Sequence, residues 1–168
     1  MAKTVPKRWG KEDIFVNNDL YCGKFLHFKQ WQPCSLHMHR EKTETFYVLR
    51  GMFQINLVDM VEESFEEIDL HEGQTLDIKP YLYHQIFGFS GDDVLLEVST
   101  HDDPEDSYRW SDLENPDIIR NKEFAKQCVR MITSPVNIKE LFLDKYDYNA
   151  AELEELAADC GLNKEDKK

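Results

Sequence analysis

Thr45-Phe46-Tyr47-Val48-Leu49 and Phe53-Gln54-Ile55-Asn56-Leu57-Val58, parted by a break at Gly51, read as two short β-strands. Working outward, Gly23-Lys24-Phe25-Leu26-His27-Phe28, Thr75-Leu76-Asp77-Ile78 and Val94-Leu95-Leu96-Glu97-Val98 have the same character. Gly73, Pro80 and Gly91 fall between them as further breakers. From residue 21 to residue 99 there are many short strands at close spacing and no amphipathic helix between them. That pattern predicts an all-β antiparallel sandwich or barrel rather than alternating strand–helix units.

The chain has 168 residues, one domain's worth of sequence and enough to bury a core without disulfide or metal staples. With 33 acidic against 20 basic residues its formal charge is -13, which argues against nucleic acid and anionic membranes as partners. Hydrophobic residues at 41% and aromatics at 12% are too abundant for a disordered acidic chain, so the protein is expected to fold. No apolar run approaches the roughly 18 residues of a membrane span, and the basic residues of the N-terminus precede no apolar stretch. Cys22, Cys34, Cys128 and Cys160 form no Cys-x-x-Cys pair, which favours reduced thiols and a cytoplasmic setting; Cys22 and Cys34 are read as packing residues.

The expected organisation is an N-terminal arm over 1–20, a barrel over 21–112 and a helical C-terminal extension over 113–168. Asn115-Pro116-Asp117 marks a helix start. In 149–160, Leu153, Leu156, Ala157 and Cys160 form an apolar stripe that would pack on the barrel or on a second subunit. The acidic stretch 62–72 reads as a solvated hairpin.

The chemistry concentrates in His37-Met38-His39-Arg40-Glu41-Lys42-Thr43-Glu44, with His84 four residues after Pro80. On a strand, His37 and His39 project to one side with Met38 turned away. A short turn over 40–43 would return Glu44 beside them on a neighbouring strand, and His84 would complete the set from a distant one. Three imidazoles and one carboxylate suit a divalent Mn, Fe, Co, Ni or Zn ion. The competing reading leaves the histidines on a surface edge strand and Glu44 as one exposed carboxylate among many.

His-x-His, four residues, Glu44, six residues, Gly51 resembles the first motif of the cupin superfamily, and Gly73, six residues, Pro80, three residues, His84 resembles the second. Trp31 stands where the first motif usually opens with glycine, and Leu82 replaces a glycine expected after Pro80. The resemblance implies a cupin double-stranded β-helix, a jelly-roll barrel with the metal inside, and commonly a homodimer. Trp9-Gly10-Lys11-Glu12, the Tyr21-Cys22-Gly23-Lys24 step, Glu44-Thr45-Phe46 and Leu96-Glu97-Val98-Ser99-Thr100 look like the cupin-type sugar isomerases of the D-lyxose ketol-isomerase family. The Trp-Gly opening and the Tyr-x-x-Lys step also echo the cupin domain of mannose-6-phosphate isomerases.

Two charged residues sit inside apolar strand runs, Glu97 and Lys24. A carboxylate facing a barrel interior needs a cation, a metal or a substrate to offset its desolvation, so Glu97 is expected inside, while Lys24 could face either way. The combined expectation is an aldose–ketose isomerase acting on a small sugar or sugar derivative through an enediol. Its metal, manganese favoured, would be held by His37, His39, Glu44 and His84; Glu97 would transfer the proton and Lys24 position a sugar oxygen, with no organic cofactor. An iron-dependent dioxygenase and a non-catalytic sugar-binding module use the same ligand set. The polar and aromatic segment 99–110 is expected either to line the barrel mouth and bind sugar hydroxyls or to be an exposed acidic turn, and Lys24, Arg40, Lys42 and Arg109 are the candidates for a substrate phosphate, each otherwise explicable as surface charge.

Overall fold

The computed structural model describes residues 2–110; the expected C-terminal helices lie outside the described residues. Eleven strands make up the described chain: β1 (Lys3–Lys7), β2 (Gly10–Asn17), β3 (Cys22–Phe28), β4 (His37–Met38), β5 (Glu44–Arg50), β6 (Met52–Asp59), β7 (Ser64–His71), β8 (Thr75–Ile78), β9 (Tyr83–Gly88), β10 (Val94–Ser99) and β11 (Tyr108–Arg109). They form two sheets, in the orders β1-β2-β3-β10-β5-β8 and β11-β4-β9-β6-β7, and every pairing is antiparallel.

Period-two alternation explains the interior. Directly opposed residues on antiparallel strands share a face, and the registers Leu95↔Leu26 and Leu95↔Val48 continue as Glu97↔Lys24 and Glu97↔Phe46. On the facing sheet, Ile55↔Ile86 continues as Leu57↔His84. Phe28, Phe46, Val48, Phe53, Ile55, Ile86 and Leu95 form a buried core, each contributing about 1.5–3 kcal/mol by leaving water. Moving one inward position further along β3, β5, β9 and β10, the same inner face changes from hydrocarbon to Lys24, Glu44, His84 and Glu97, all nearly inaccessible to solvent. One end of the barrel is therefore packed and the other is polar.

Two sequence expectations change. The residues read as an N-terminal arm form β1 and β2, which extend the larger sheet, with β2 pairing to β3 from Gly10↔Phe28 to Asn17↔Cys22. Their composition is too polar to announce a strand because only one face is partly covered. Trp9 closes this hairpin against the core, stacked on Phe28 at 4.5 Å between ring centroids. The acidic stretch read as a hairpin is in fact one edge strand, β7, pairing along its whole length with β6; the turn lies before it, at 60–63.

The two motif positions that lack glycine are resolved by backbone conformation. Trp31 itself takes the left-handed conformation, φ 59°, anchored by its amide donating to the Gly88 carbonyl and its ring meeting Phe89 edge-on at 5.6 Å. In the second motif the left-handed residue is Tyr81, φ 67°, whose amide donates to the His39 carbonyl; Leu82 is not in that conformation. Gly51 joins β5 to β6 at φ 90°, and a Cβ there would stand 1.9 Å from Asp93 Oδ1, so the break read from the sequence needs glycine for both reasons.

Candidate functional site

His37 and His84 are register partners on adjacent strands, β4 and β9, so the imidazole expected from a distant strand is the nearest neighbour. His39 follows the end of β4, where the chain leaves the smaller sheet. Segment 40–43 then crosses to the larger sheet, where Glu44 opens β5. Glu44 therefore does not return on a neighbouring strand as expected; it approaches the histidines across the barrel interior. A hairpin would have kept β4 and β5 in one sheet, and the crossing is what brings both inner faces to one point.

One ring nitrogen from each of His37, His39 and His84 lies within 4.8 Å of the others, a group able to hold a metal ion. The tautomers follow from the partners. His37 Nδ1 lies 2.7 Å from the Ser35 carbonyl, His84 Nδ1 3.1 Å from the Leu82 carbonyl, and His39 Nδ1 bonds the Asp106 carbonyl. A carbonyl only accepts, so each Nδ1 carries a proton and each Nε2 is the nitrogen left for the cluster. Burial, followed by the neighbouring imidazoles, holds His37 well below the usual histidine value; burial is also the main reason His39 is lowered. Both rings are thus neutral near pH 7, the form that ligates metals.

Glu44 completes the cluster, with Oε2 3.2 Å from His84 Nε2 and Oε1 3.6 Å from His39 Nε2. Burial would raise its pKa, but the imidazoles and Lys42 outweigh that and hold it well below the ordinary carboxylate value. His39 Nε2 and Glu44 Oε2 are buried without a hydrogen-bond partner. Two buried polar atoms without partners, beside two further imidazoles, are costly unless a cation sits among them. The donor set, nitrogen and carboxylate oxygen without thiolate, fits a divalent transition metal.

Lys24 and Glu97 both face inward, 4% and 3% exposed, which settles the orientation the sequence left open for Lys24. Lys42, which the sequence left as either a phosphate-binding group or surface charge, is 4% exposed and lies inside. Its Nζ lies 2.7 Å from Glu44 Oε1, 2.7 Å from Glu97 Oε1 and 2.9 Å from Asp102 Oδ1. Lys24 Nζ closes the network, 2.7 Å from Asp102 Oδ1 and 3.4 Å from Glu97 Oε1. Burial lowers both lysines, yet the carboxylates around them more than offset it, so both ammoniums are held protonated. A usable signal existed for Lys42, since it has the parity of the inward-facing Glu44, Phe46 and Val48; Asp102, on an irregular loop, left none.

Asp102 carries a pH prediction. Burial would raise its carboxyl, but Lys42 and Lys24 outweigh that and bring it to about 2. A carboxyl with a lowered folded-state pKa contributes stability that is complete above its unfolded value and lost as pH falls through the folded one. Asp102 is therefore expected to contribute about 2 kcal/mol, present above about pH 4 and lost toward pH 2. Acid unfolding of Asp102→Asn should lack that share of the transition; an unchanged acid limb would contradict the assignment.

The segment 99–110 is split between roles. Asp102, Asp103, Pro104, Ser107 and Arg109 line a cavity of about 440 Å³ that also contains the histidine cluster, Lys24, Lys42, Glu97 and Trp9. The aromatics expected to stack on a sugar are engaged elsewhere, Trp110 edge-on to Tyr83 at 5.0 Å and Tyr108 beneath the Arg40 guanidinium at 4.4 Å. Cys22 and Cys34 are buried free thiols raised by burial to about 11 and about 12, as befits packing residues. Among the described residues no helix is long and apolar enough to cross a membrane.

No protein-family model and no curated protein matches the chain in sequence. Solved structures do match in shape. KdgF from a Halomonas species superposes with TM-score 0.53 at 14% identity, covering 62% of this chain and 91% of that one. Capsular polysaccharide assembling protein CapF from Staphylococcus aureus gives 0.55 at 20% identity over 65% of this chain, and a variant of Bacillus subtilis oxalate decarboxylase OxdC gives 0.59 at 16% over 68%. This chain corresponds to only about a third of those last two, 34% and 32% of their lengths. At such identities the matches establish the fold, and they agree with the motif spacing, the two antiparallel sheets and the inward histidines: the described residues form a cupin barrel.

Proposed function

We propose that this protein is a metal-dependent aldose–ketose isomerase acting on a small sugar or sugar derivative. The observation that carries the reading is the placement of Glu97, a carboxylate suited to proton transfer, in the same cavity as the His37, His39, His84 and Glu44 cluster. A divalent ion held by those four side chains would supply Lewis acidity toward the carbonyl oxygen of an open-chain sugar. Removal of a proton from the adjacent carbon then falls to Glu97. Its recorded contacts, to Lys42, Lys24 and Ser99 Oγ, are all made through Oε1, so Oε2 is the oxygen left for the substrate's proton. Lys24 and Lys42 orient Glu97 and offer N–H donors to sugar oxygens that gain charge as the proton leaves.

The cavity wall supports the substrate class. Five basic side chains (Lys3, Lys7, Lys24, Lys42, Arg109) balance five acidic ones (Glu12, Glu44, Glu97, Asp102, Asp103), in a chain whose formal charge is -13. A wall of alternating donors and acceptors without net charge suits a polyhydroxylated ligand, and about 440 Å³ is within the range of small-molecule sites.

The test is a panel of aldoses and ketoses, free and phosphorylated, incubated anaerobically with protein loaded in turn with Mn, Fe, Co, Ni and Zn. Interconversion of one pair without oxygen is the expected result. Absence of turnover across the panel would overturn the reading, and oxygen-dependent consumption of another substrate by the iron-loaded form would replace it with a dioxygenase.

A further inference from the structure

His37, His84, Glu44, Lys24 and Glu97 all stand on strands whose ladders fix them, whereas His39 and Lys42 belong to the irregular crossing between the sheets. Something other than a ladder must hold that crossing, since buried backbone amides require partners. The amides of Arg40, Glu41 and Lys42 all donate to one side chain, Asp106, at 2.8 Å to Oδ1 and 3.1 and 3.0 Å to Oδ2. The next amide, Thr43, donates to Thr100 Oγ1, and the Asp106 main-chain carbonyl accepts from His39 Nδ1. Asp106 is 9% exposed and closes a short 3-10 turn, Pro104–Asp106, whose start is capped by Asp103 Oδ1 accepting from the Glu105 amide.

We propose that Asp106 is the positioning residue of the site: its carboxylate clamps the 40–42 backbone and its carbonyl fixes the tautomer and orientation of His39, so one residue sets both a ligand imidazole and the Lys42 ammonium. The assignment rests on the metal-binding part of the function proposed above. The carboxylate matches the crossing in charge and geometry, because three converging N–H dipoles form a concave anion site that one planar carboxylate fills through both oxygens. Loss of either oxygen releases at least one amide and, with it, the path of the chain between His39 and Glu44. In the sequence Asp106 is one of several acids in 102–106; the fold alone separates it from Asp103 and Glu105, which remain at the surface.

The test compares Asp106→Asn and Asp106→Ala with wild type and with Ile55→Val, a core variant destabilised without touching the crossing. Titration with Co(II), read by its visible absorption, should weaken about 10–100-fold in Asp106→Ala, the cost typical of losing a partner that orients a metal-binding histidine. Asp106→Asn keeps one acceptor oxygen and should fall between, and Ile55→Val should stay within about twofold of wild type. The second readout is the imidazole nitrogen shifts of His39 in metal-free protein, expected to show the Nδ1–H form in wild type and a tautomer mixture in Asp106→Ala. Wild-type affinity in Asp106→Ala, with only a lower Tm, would overturn the proposal and leave Asp106 as a fold residue. If wild type binds no Co(II), the metal reading fails; Asp106 then stands or falls by whether the His39 tautomer changes.

Discussion

Lys42→Met should lose about 3–5 kcal/mol of stability at pH 7, the largest effect expected of any single replacement in the barrel. The removed ammonium is shared by Glu44, Glu97 and Asp102, each within 2.9 Å of it, and Lys24 reaches only the last two. Methionine fills the volume but leaves Glu44 buried with imidazoles as its nearest partners, and a buried charge stripped of its cation costs far more than the pair contributed. The deficit has a pH signature. Against burial, Lys42 helps hold the Glu44 and Asp102 carboxyls below the ordinary carboxylate value, so wild type loses that share of its stability as pH falls through the carboxylate range and the variant has no such share to lose. Urea unfolding at pH 7 and pH 4 should therefore show the gap to wild type narrowing on acidification. A variant within 1 kcal/mol of wild type at pH 7 would mean that the three carboxylates do not depend on Lys42 as their shared cation.

Glu97→Gln is expected to reduce kcat by a factor of about 10²–10⁴ while metal content and fold are unchanged, the usual contribution of a positioned acid–base group. Glutamine keeps the shape and one acceptor for the Ser99 hydroxyl and the lysines, but it cannot take a proton from carbon. KM should move little, since Glu97 is assigned to the proton in flight rather than to substrate affinity. The measurement is steady-state kinetics on the sugar pair identified by the panel, with metal analysis of the same samples. Retention of wild-type kcat would remove Glu97 from the reaction. A raised KM with constant kcat would make it a binding residue.

The two replacements separate two functions of one network. Lys42 is assigned chiefly to holding three carboxylates in place, and its loss should register in stability whatever the substrate. Glu97 is assigned to chemistry, and its loss should register in turnover with the barrel intact.

How much of this was legible beforehand depends on the kind of residue. His37, His39, Glu44, Gly51 and His84 were legible because their spacing resembles two cupin motifs and alternation puts His37 and His39 on one side, although Glu44 reaches them by a crossing rather than by a short turn. Glu97 was placed inside because an unmatched carboxylate in Val94-Leu95-Leu96-Glu97-Val98 stands out against four apolar neighbours. Lys42 carried the right parity but sat outside any recognisable strand, so the sequence left it between a group near the metal and surface charge. Asp102 and Asp106 had neither period nor neighbourhood to mark them among four acids between residues 102 and 106 and the rest of an acidic chain.

Strand periodicity and turn signals are local and survive in one dimension, so residue order sufficed for an antiparallel all-β fold with two histidines and a carboxylate at a spacing that resembles the cupins. It took the folded chain to show that the N-terminal residues join the sheet, that His84 is the near partner of His37, and that Glu44 arrives across the interior. Folding also brought Lys42, Asp102 and Asp106 to the site. Those facts depend on which sheet each strand enters after a crossing, and a crossing is stabilised by contacts between residues more than sixty positions apart, such as Arg40 with Asp106, which no local pattern encodes.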